Sequence, residues 1–121
     1  MKLDEYNAYC ATLPATHHVV QWRGAHVWKV GTKVFAIARP EDEDSPLRVT
    51  FKVTPQSYDI MKDQKGLRPA PHLASRGMKW IQHYEAPGLD DDALRAYLAK
   101  SHELAAANLT KKMQRELGLL D

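Results

Sequence analysis

A chain of 121 residues, 44% of them hydrophobic and 26% charged, is long enough for one domain to bury about two thirds of its unfolded surface, and too apolar to remain disordered. A single cysteine excludes an internal disulfide or a cysteine-built zinc site. No run approaches the ~18 apolar residues of a membrane span, and Met1-Lys2-Leu3-Asp4-Glu5 lacks the apolar centre of a signal peptide, so a cytoplasmic location is expected. Net charge is only +2, so any case for a polyanionic partner must rest on where the charges lie.

In chain order, Leu3, Tyr6, Cys10 and Leu13 recur at intervals of three and four and predict a short first helix, with Asp4 and Glu5 at its positive end. Cys10 lies on its apolar stripe and is expected to be buried and quiet. Pro14 stops this helix. His17 to Trp22 alternate as a strand ending at Arg23-Gly24, and a clearer signal follows in His26–Val30, Gly31-Thr32 and Lys33–Ala38. Glycine first in a two-residue loop suits a type II′ hairpin turn. That loop pairs Val30 with Lys33, Lys29 with Val34 and Trp28 with Phe35. Trp28, Val30, Phe35 and Ile37 then share the expected core face, with Val27, Lys29, Val34 and Ala36 on the other.

Pro40 to Pro46 is an acidic loop that reads as a solvated turn, since it lacks a calcium-loop pattern. Leu47, Val49, Phe51 and Val53 alternate with Arg48, Thr50 and Lys52, the pattern of a half-buried strand. Thr54-Pro55 opens a second helix that ends before Gly66. Gly66 to Leu73 carries too much proline for a helix or an interior strand and reads as an ordered loop bearing Arg68 and His72. Met78 to Tyr84 is a strand rich in aromatic and β-branched residues. From an Asp90 cap, a last helix is predicted to about Leu117. Its apolar face ends near Leu109, and its length of roughly 42 Å predicts that residues 110–121 overhang the body as a basic end or bend away from it.

Alternating strands with interspersed helices imply a two-layer α+β domain over residues 1–121, an antiparallel sheet with helices on one face. Lys29, Arg48 and Lys52 then lie together on the uncovered face. The last strand admits two registers; with Trp80 and Tyr84 inward, Lys79 and His83 join the outer set. Acidic residues gather instead at 41–44 and at the start of the last helix. Such a face suits phosphates, although lysines and arginines also simply keep an open sheet soluble.

Nothing in the pattern points to catalysis or a bound metal. The six histidines are scattered without a ligand spacing, Ser101 and His102 diverge by ~100° on a helix, and the isolated glycines form neither a phosphate loop nor a nucleophile elbow. No catalytic residue, metal or cofactor is expected. Arg68, His72 and Trp80 have two readings. They either satisfy loop carbonyls, cap an element and fill the core, or form a shallow anion site beside a stacking ring.

Lys29-Val30-Gly31-Thr32-Lys33-Val34-Phe35-Ala36, Phe51-Lys52-Val53, Gly66-Leu67-Arg68-Pro69 through His72-Leu73, Trp80 and Ser101-His102 together resemble, in order and over nearly the whole chain, the MmcQ/YjbR family of small bacterial proteins. The resemblance implies a domain like that of secretion chaperones, described as a "double-wing" DNA-binding protein. Two departures stand out. The family usually has Pro-Phe-Gly where this chain reads Gln21-Trp22-Arg23-Gly24, and its tryptophan commonly follows the histidine more closely than Trp80 follows His72. The expectation is a monomeric, non-catalytic nucleic-acid-binding protein contacting its partner through Lys29, Arg48, Lys52, Arg68, His72 and Lys79. The alternative is a protein- or peptide-binding adaptor that uses the sheet surface or the overhanging helix and has no role with nucleic acid or membranes.

Overall fold

Glu5 accepts a hydrogen bond from the Lys2 backbone N–H and starts helix α1, Leu3–Thr12, which seats Tyr6 and Cys10 in the core before Pro14 prevents its continuation. The computed structural model describes residues 1–120. Strands β1 (Thr16–Gln21), β2 (Ala25–Val30), β3 (Lys33–Arg39) and β4 (Arg48–Lys52) follow, then helix α2 (Pro55–Met61), capped by the Thr54 hydroxyl. Strand β5 (Leu67–Pro69), a 3-10 turn at Ala74–Arg76, strand β6 (Trp80–His83) and helices α3 (Asp91–Ala107) and α4 (Lys111–Glu116) complete the chain. The strands form one antiparallel sheet in the order β1-β2-β3-β4-β6-β5. Tyr6, Met61, Leu94, Leu98 and Ala105 from the helices pack with Trp28, Val30, Phe35, Val49, Phe51 and Ile81 from the sheet. This is the expected α+β arrangement, with helices on one face. Among the described residues, no helix is long and apolar enough to cross a membrane.

Four local expectations are corrected. Of the two turn residues Gly31 alone has positive φ, +57°, and Val30–Lys33 and Lys29–Val34 pair as expected, but Trp28 pairs with Ala36 because Phe35 is an extra, bulged residue. The insertion shifts the alternation beyond it, so Phe35, Ala36 and Ala38 all join the helix-side core while Ile37 turns to the opposite face. In β6 the register is the other of the two possibilities. Trp80 and Gln82 lie opposite Lys52 and Thr50 on the helix-free face, and Ile81 packs into the core. Lys79 therefore leaves the proposed basic face: its ammonium sits 4.6 Å from the Tyr58 ring of α2. Trp80 is nonetheless only 5% exposed, because residues 70–79 fold back over the face it lies on.

The proline-rich segment is not wholly a loop, since Leu67–Pro69 hydrogen-bonds to β6 as an edge strand, the position where a missing N–H is harmless. Gly66, with φ of +90°, admits the chain there, since a Cβ would run into the Glu85 carbonyl. The last helix breaks at Asn108–Thr110. Leu109 is buried, the Thr110 hydroxyl caps α4, and Met113, Leu117 and Leu119 pack back on the core. The expected overhang or outward bend is absent because apolar residues after the break return the chain to the body.

Candidate functional site

Three consecutive residues with positive φ, Trp22 (+51°), Arg23 (+62°) and Gly24 (+90°), connect β1 to β2. Left-handed backbone costs a non-glycine residue about 1–2 kcal/mol, so a turn built this way needs outside support. Arg39, at the end of β3, supplies it: its Nη1 donates to the Trp22 carbonyl at 2.5 Å and lies 3.4 Å from that of Arg23. The clamped turn holds the Trp22 indole half exposed, whereas Trp28 and Trp80 are buried.

Beside this turn lies a cleft of about 460 Å³ on the helix-free face of the sheet. Its floor is Ile37, Thr50 and Gln82, from three adjacent strands. One wall is the folded-back segment, through Pro71, His72, Leu73 and Arg76, and Trp22 and Arg39 form the opposite rim. His72 also has positive φ, +69°. Three of the four described non-glycine residues with positive φ thus lie at or beside this one cleft, and stored backbone strain of this kind tends to gather at functional sites.

The floor is organised by a chain of side-chain hydrogen bonds. Arg68 donates through Nε and an Nη to the Gln82 Oε1 at 2.9 and 2.7 Å, and Gln82 Nε2 donates to Thr50 Oγ1 at 3.2 Å. The Arg68 guanidinium also lies 4.4 Å from the Tyr84 ring centroid, a cation–π contact. Arg48 lies opposite Arg39 in the β3–β4 pair, and its Nε is buried without a hydrogen-bond partner among the described residues. Asp42 in the neighbouring loop accepts from the Asp44 and Ser45 N–H groups and the Ser45 hydroxyl. Those bonds, with a small contribution from Arg48, hold its carboxyl below the usual range.

Of the six residues expected to contact nucleic acid, the structure brings His72 into the cleft and leaves Arg48 and Arg68 beside it. Lys52 lies further along β4, next to Trp80, and Lys29 is two strands away on the same face. Lys79 is on the helix side. Trp22, Arg39, Arg76 and Gln82 were not identified from the sequence. Arg39 and Gln82 were obscured by the bulge and the β6 register, and Trp22 by being read as a strand residue. Neither reading of Arg68, His72 and Trp80 holds in full. Arg68 binds a side chain instead of loop carbonyls, and Trp80 is buried under a loop.

Elsewhere, His18 Nε2 and His26 Nδ1 are 2.9 Å apart, the His18 ring stacks on Trp28, and Trp28 Nε1 donates to Asn7. Burial, then the neighbouring His26, lowers the His18 pKa. No group of three metal-ligating side chains occurs among the described residues. Ser101 and His102 do not interact as a catalytic pair. The Ser101 hydroxyl lies 2.6 Å from the Lys52 carbonyl and 2.9 Å from that of Tyr97, and His102 Nε2 bonds the Pro14 carbonyl at 2.7 Å.

Residues 11–104 match the family model described as YjbR. No curated protein matches the chain. Among solved structures, the crystal structure of Deinococcus radiodurans protein DR2400, with family-model domain DUF419, is similar with a TM-score of 0.84. The match spans 99% of this chain and 90% of that one at 24% identity, a likeness of fold.

Proposed function

We propose that this chain, which belongs to the YjbR family, is a non-catalytic nucleic-acid-binding module that works through the helix-free face of its sheet. The observation that carries the reading is the placement of charge. The six strands contain Lys29, Lys33, Arg39, Arg48, Lys52 and Arg68 and no acidic residue; the Asp and Glu among the described residues lie in helices and loops. Lys29, Arg39, Arg48, Lys52 and Arg68 share the helix-free face, and none is in a salt bridge among the described residues. From β2 to β5 is four strand spacings, roughly 19 Å. That is about the rise of five or six phosphates along one strand of a duplex.

Cations that no carboxylate neutralises keep their charge for a phosphate backbone and replace its condensed counterions, which makes affinity fall steeply with salt. The non-catalytic part of the reading is supported by Ser101 and His102, both engaged with backbone carbonyls. The adaptor alternative would use the sheet surface or an overhanging helix, and the second of these is lost because α4 packs on the core.

The test is titration of a labelled duplex and a labelled single strand at low and raised salt, with Lys52→Glu and Arg48→Glu beside the unaltered protein. Salt-sensitive binding weakened by both reversals is expected. No binding, salt-insensitive binding, or binding unchanged by Lys52→Glu would overturn the reading.

A further inference from the structure

The nucleic-acid reading leaves open which form of nucleic acid the face accepts, and the cleft beside Trp22 bears on that question. An indole 52% exposed on a strained turn is expensive to maintain, since the same ring in the core would contribute burial instead of meeting water. Arg39 nevertheless fixes the turn that carries it. Across the cleft from Trp22 stand Pro71 and His72, with the apolar side chain of Ile37 between them on the floor. The cleft therefore has a flat aromatic edge, a base in which Ile37 lies beside the hydrogen-bonded Thr50 and Gln82, and a gap of about 460 Å³, which falls in the range of small-molecule sites.

Its charged groups are of one sign. Arg39 retains donors beyond the Nη1 that holds the turn, Arg76 is exposed on the opposite wall, and no carboxylate lines the cleft. A planar apolar group with an anion attached matches this lining. In a duplex the base faces are covered by their neighbours and only base edges reach the grooves, so a ring that stacks requires an unpaired base. The floor offers little to read a base edge. Gln82 Oε1 already accepts two bonds from Arg68, and the Thr50 hydroxyl accepts one from Gln82.

We infer that this cleft seats an unpaired nucleobase of a single-stranded nucleic acid, stacked on Trp22, with the adjoining phosphates held by Arg39 on one rim and Arg76 on the other wall, and with little preference for base identity. The inference rests on the nucleic-acid reading of the same face, and it makes Trp22 the residue that separates single strands from duplexes.

Trp22 is the one tryptophan of three that is solvent-exposed, so the part of the emission that Trp22→Asn removes is the part a ligand in the cleft quenches. The probes are an oligothymidine and a duplex of equal length, titrated at fixed salt. The variant is Trp22→Asn, because asparagine tolerates positive φ and removes the ring without adding strain to the turn. The oligothymidine is expected to quench tryptophan emission and to bind more tightly than the duplex. Trp22→Asn is expected to weaken its binding about 5- to 100-fold, the range for loss of one stacked base, while duplex binding stays within about twofold.

Salt-sensitive binding of both probes with equal affinity, no quenching and no effect of Trp22→Asn would overturn the cleft inference and leave the basic face standing. Binding of neither probe would remove both. If Trp22→Asn does not fold, Arg76→Glu on the exposed wall carries the same comparison. It is expected to weaken oligothymidine binding more than duplex binding, and equal effects on the two would overturn the inference.

Discussion

The guanidinium of Arg39 reaches from the end of β3 to the backbone carbonyl of Trp22, tying a turn of three left-handed residues to the rim of the cleft. A hydrogen bond from a charged donor contributes about 1.5–3 kcal/mol, comparable with the strain it offsets. Arg39→Ala is therefore expected to lower stability by about 1–3 kcal/mol in urea unfolding. Arg39→Lys should recover only part of the effect, because a lysine cannot present the planar fork. An Arg39→Ala protein as stable as the unaltered one would contradict this account.

Ser101 lies fully buried on α3 beneath β4, with its hydroxyl facing the carbonyls of Lys52 and Tyr97. One hydroxyl has one proton, so the shorter contact, to Lys52, is the bond expected to dominate. It ties the helix layer to the backbone of β4, on the side of the sheet opposite the proposed ligand face. Ser101→Ala is expected to destabilise the protein by about 1–3 kcal/mol, the penalty for a buried group left unpaired, and to leave oligonucleotide affinity unchanged. A loss of affinity without a loss of stability would show that this serine belongs to the binding surface.

Burial pushes the Cys10 thiol up to about 12. Since only the thiolate attacks thiol reagents, Cys10 is expected to resist iodoacetamide at pH 8 in the folded protein and to react fully in denaturant. Mass spectrometry of the alkylated chain gives the answer, and fast labelling under native conditions would place Cys10 outside the core.

Acid should weaken the fold in two separate steps. Burial lowers the His83 pKa, and His18 is lowered by burial and by His26, so the unfolded chain protonates first as pH falls below about 6.5. Their contribution is present above that pH and declines below it. The Asp91 carboxyl is held low chiefly by its hydrogen bond with the terminal amine of Met1, and Asp42 by backbone N–H groups. Their contribution is lost only as pH falls below about 3.8. Urea midpoints measured from pH 7 to 5 are expected to fall, and His83→Gln, which retains a donor for the Leu89 carbonyl but does not titrate, should flatten that fall. Midpoints that rise on acidification would contradict the assignment.

Period, punctuation and sign of charge were legible in the chain itself. Residues 3–13 repeat at helical spacing, 47–53 alternate, Thr54-Pro55 marks a helix start, and Gly31-Thr32 marks a hairpin. Each depends on a few neighbouring residues, and each element formed where its pattern stood. The concentration of basic residues on the sheet was legible for the same reason, since alternation along one strand assigns Arg48 and Lys52 to one face without reference to any other. What required the tertiary structure was every decision made between strands. The Phe35 bulge exchanged Ile37 for Ala36, and pairing with β4 turned Trp80 and Gln82 to the helix-free face and Lys79 to the helix side, because strand register is set by hydrogen bonds to a partner distant in sequence. The cleft exists only after both choices and after residues 70–79 have folded over the face. Trp22, its most exposed aromatic residue, is held there by an arginine 17 positions away, a contact that no local pattern encodes.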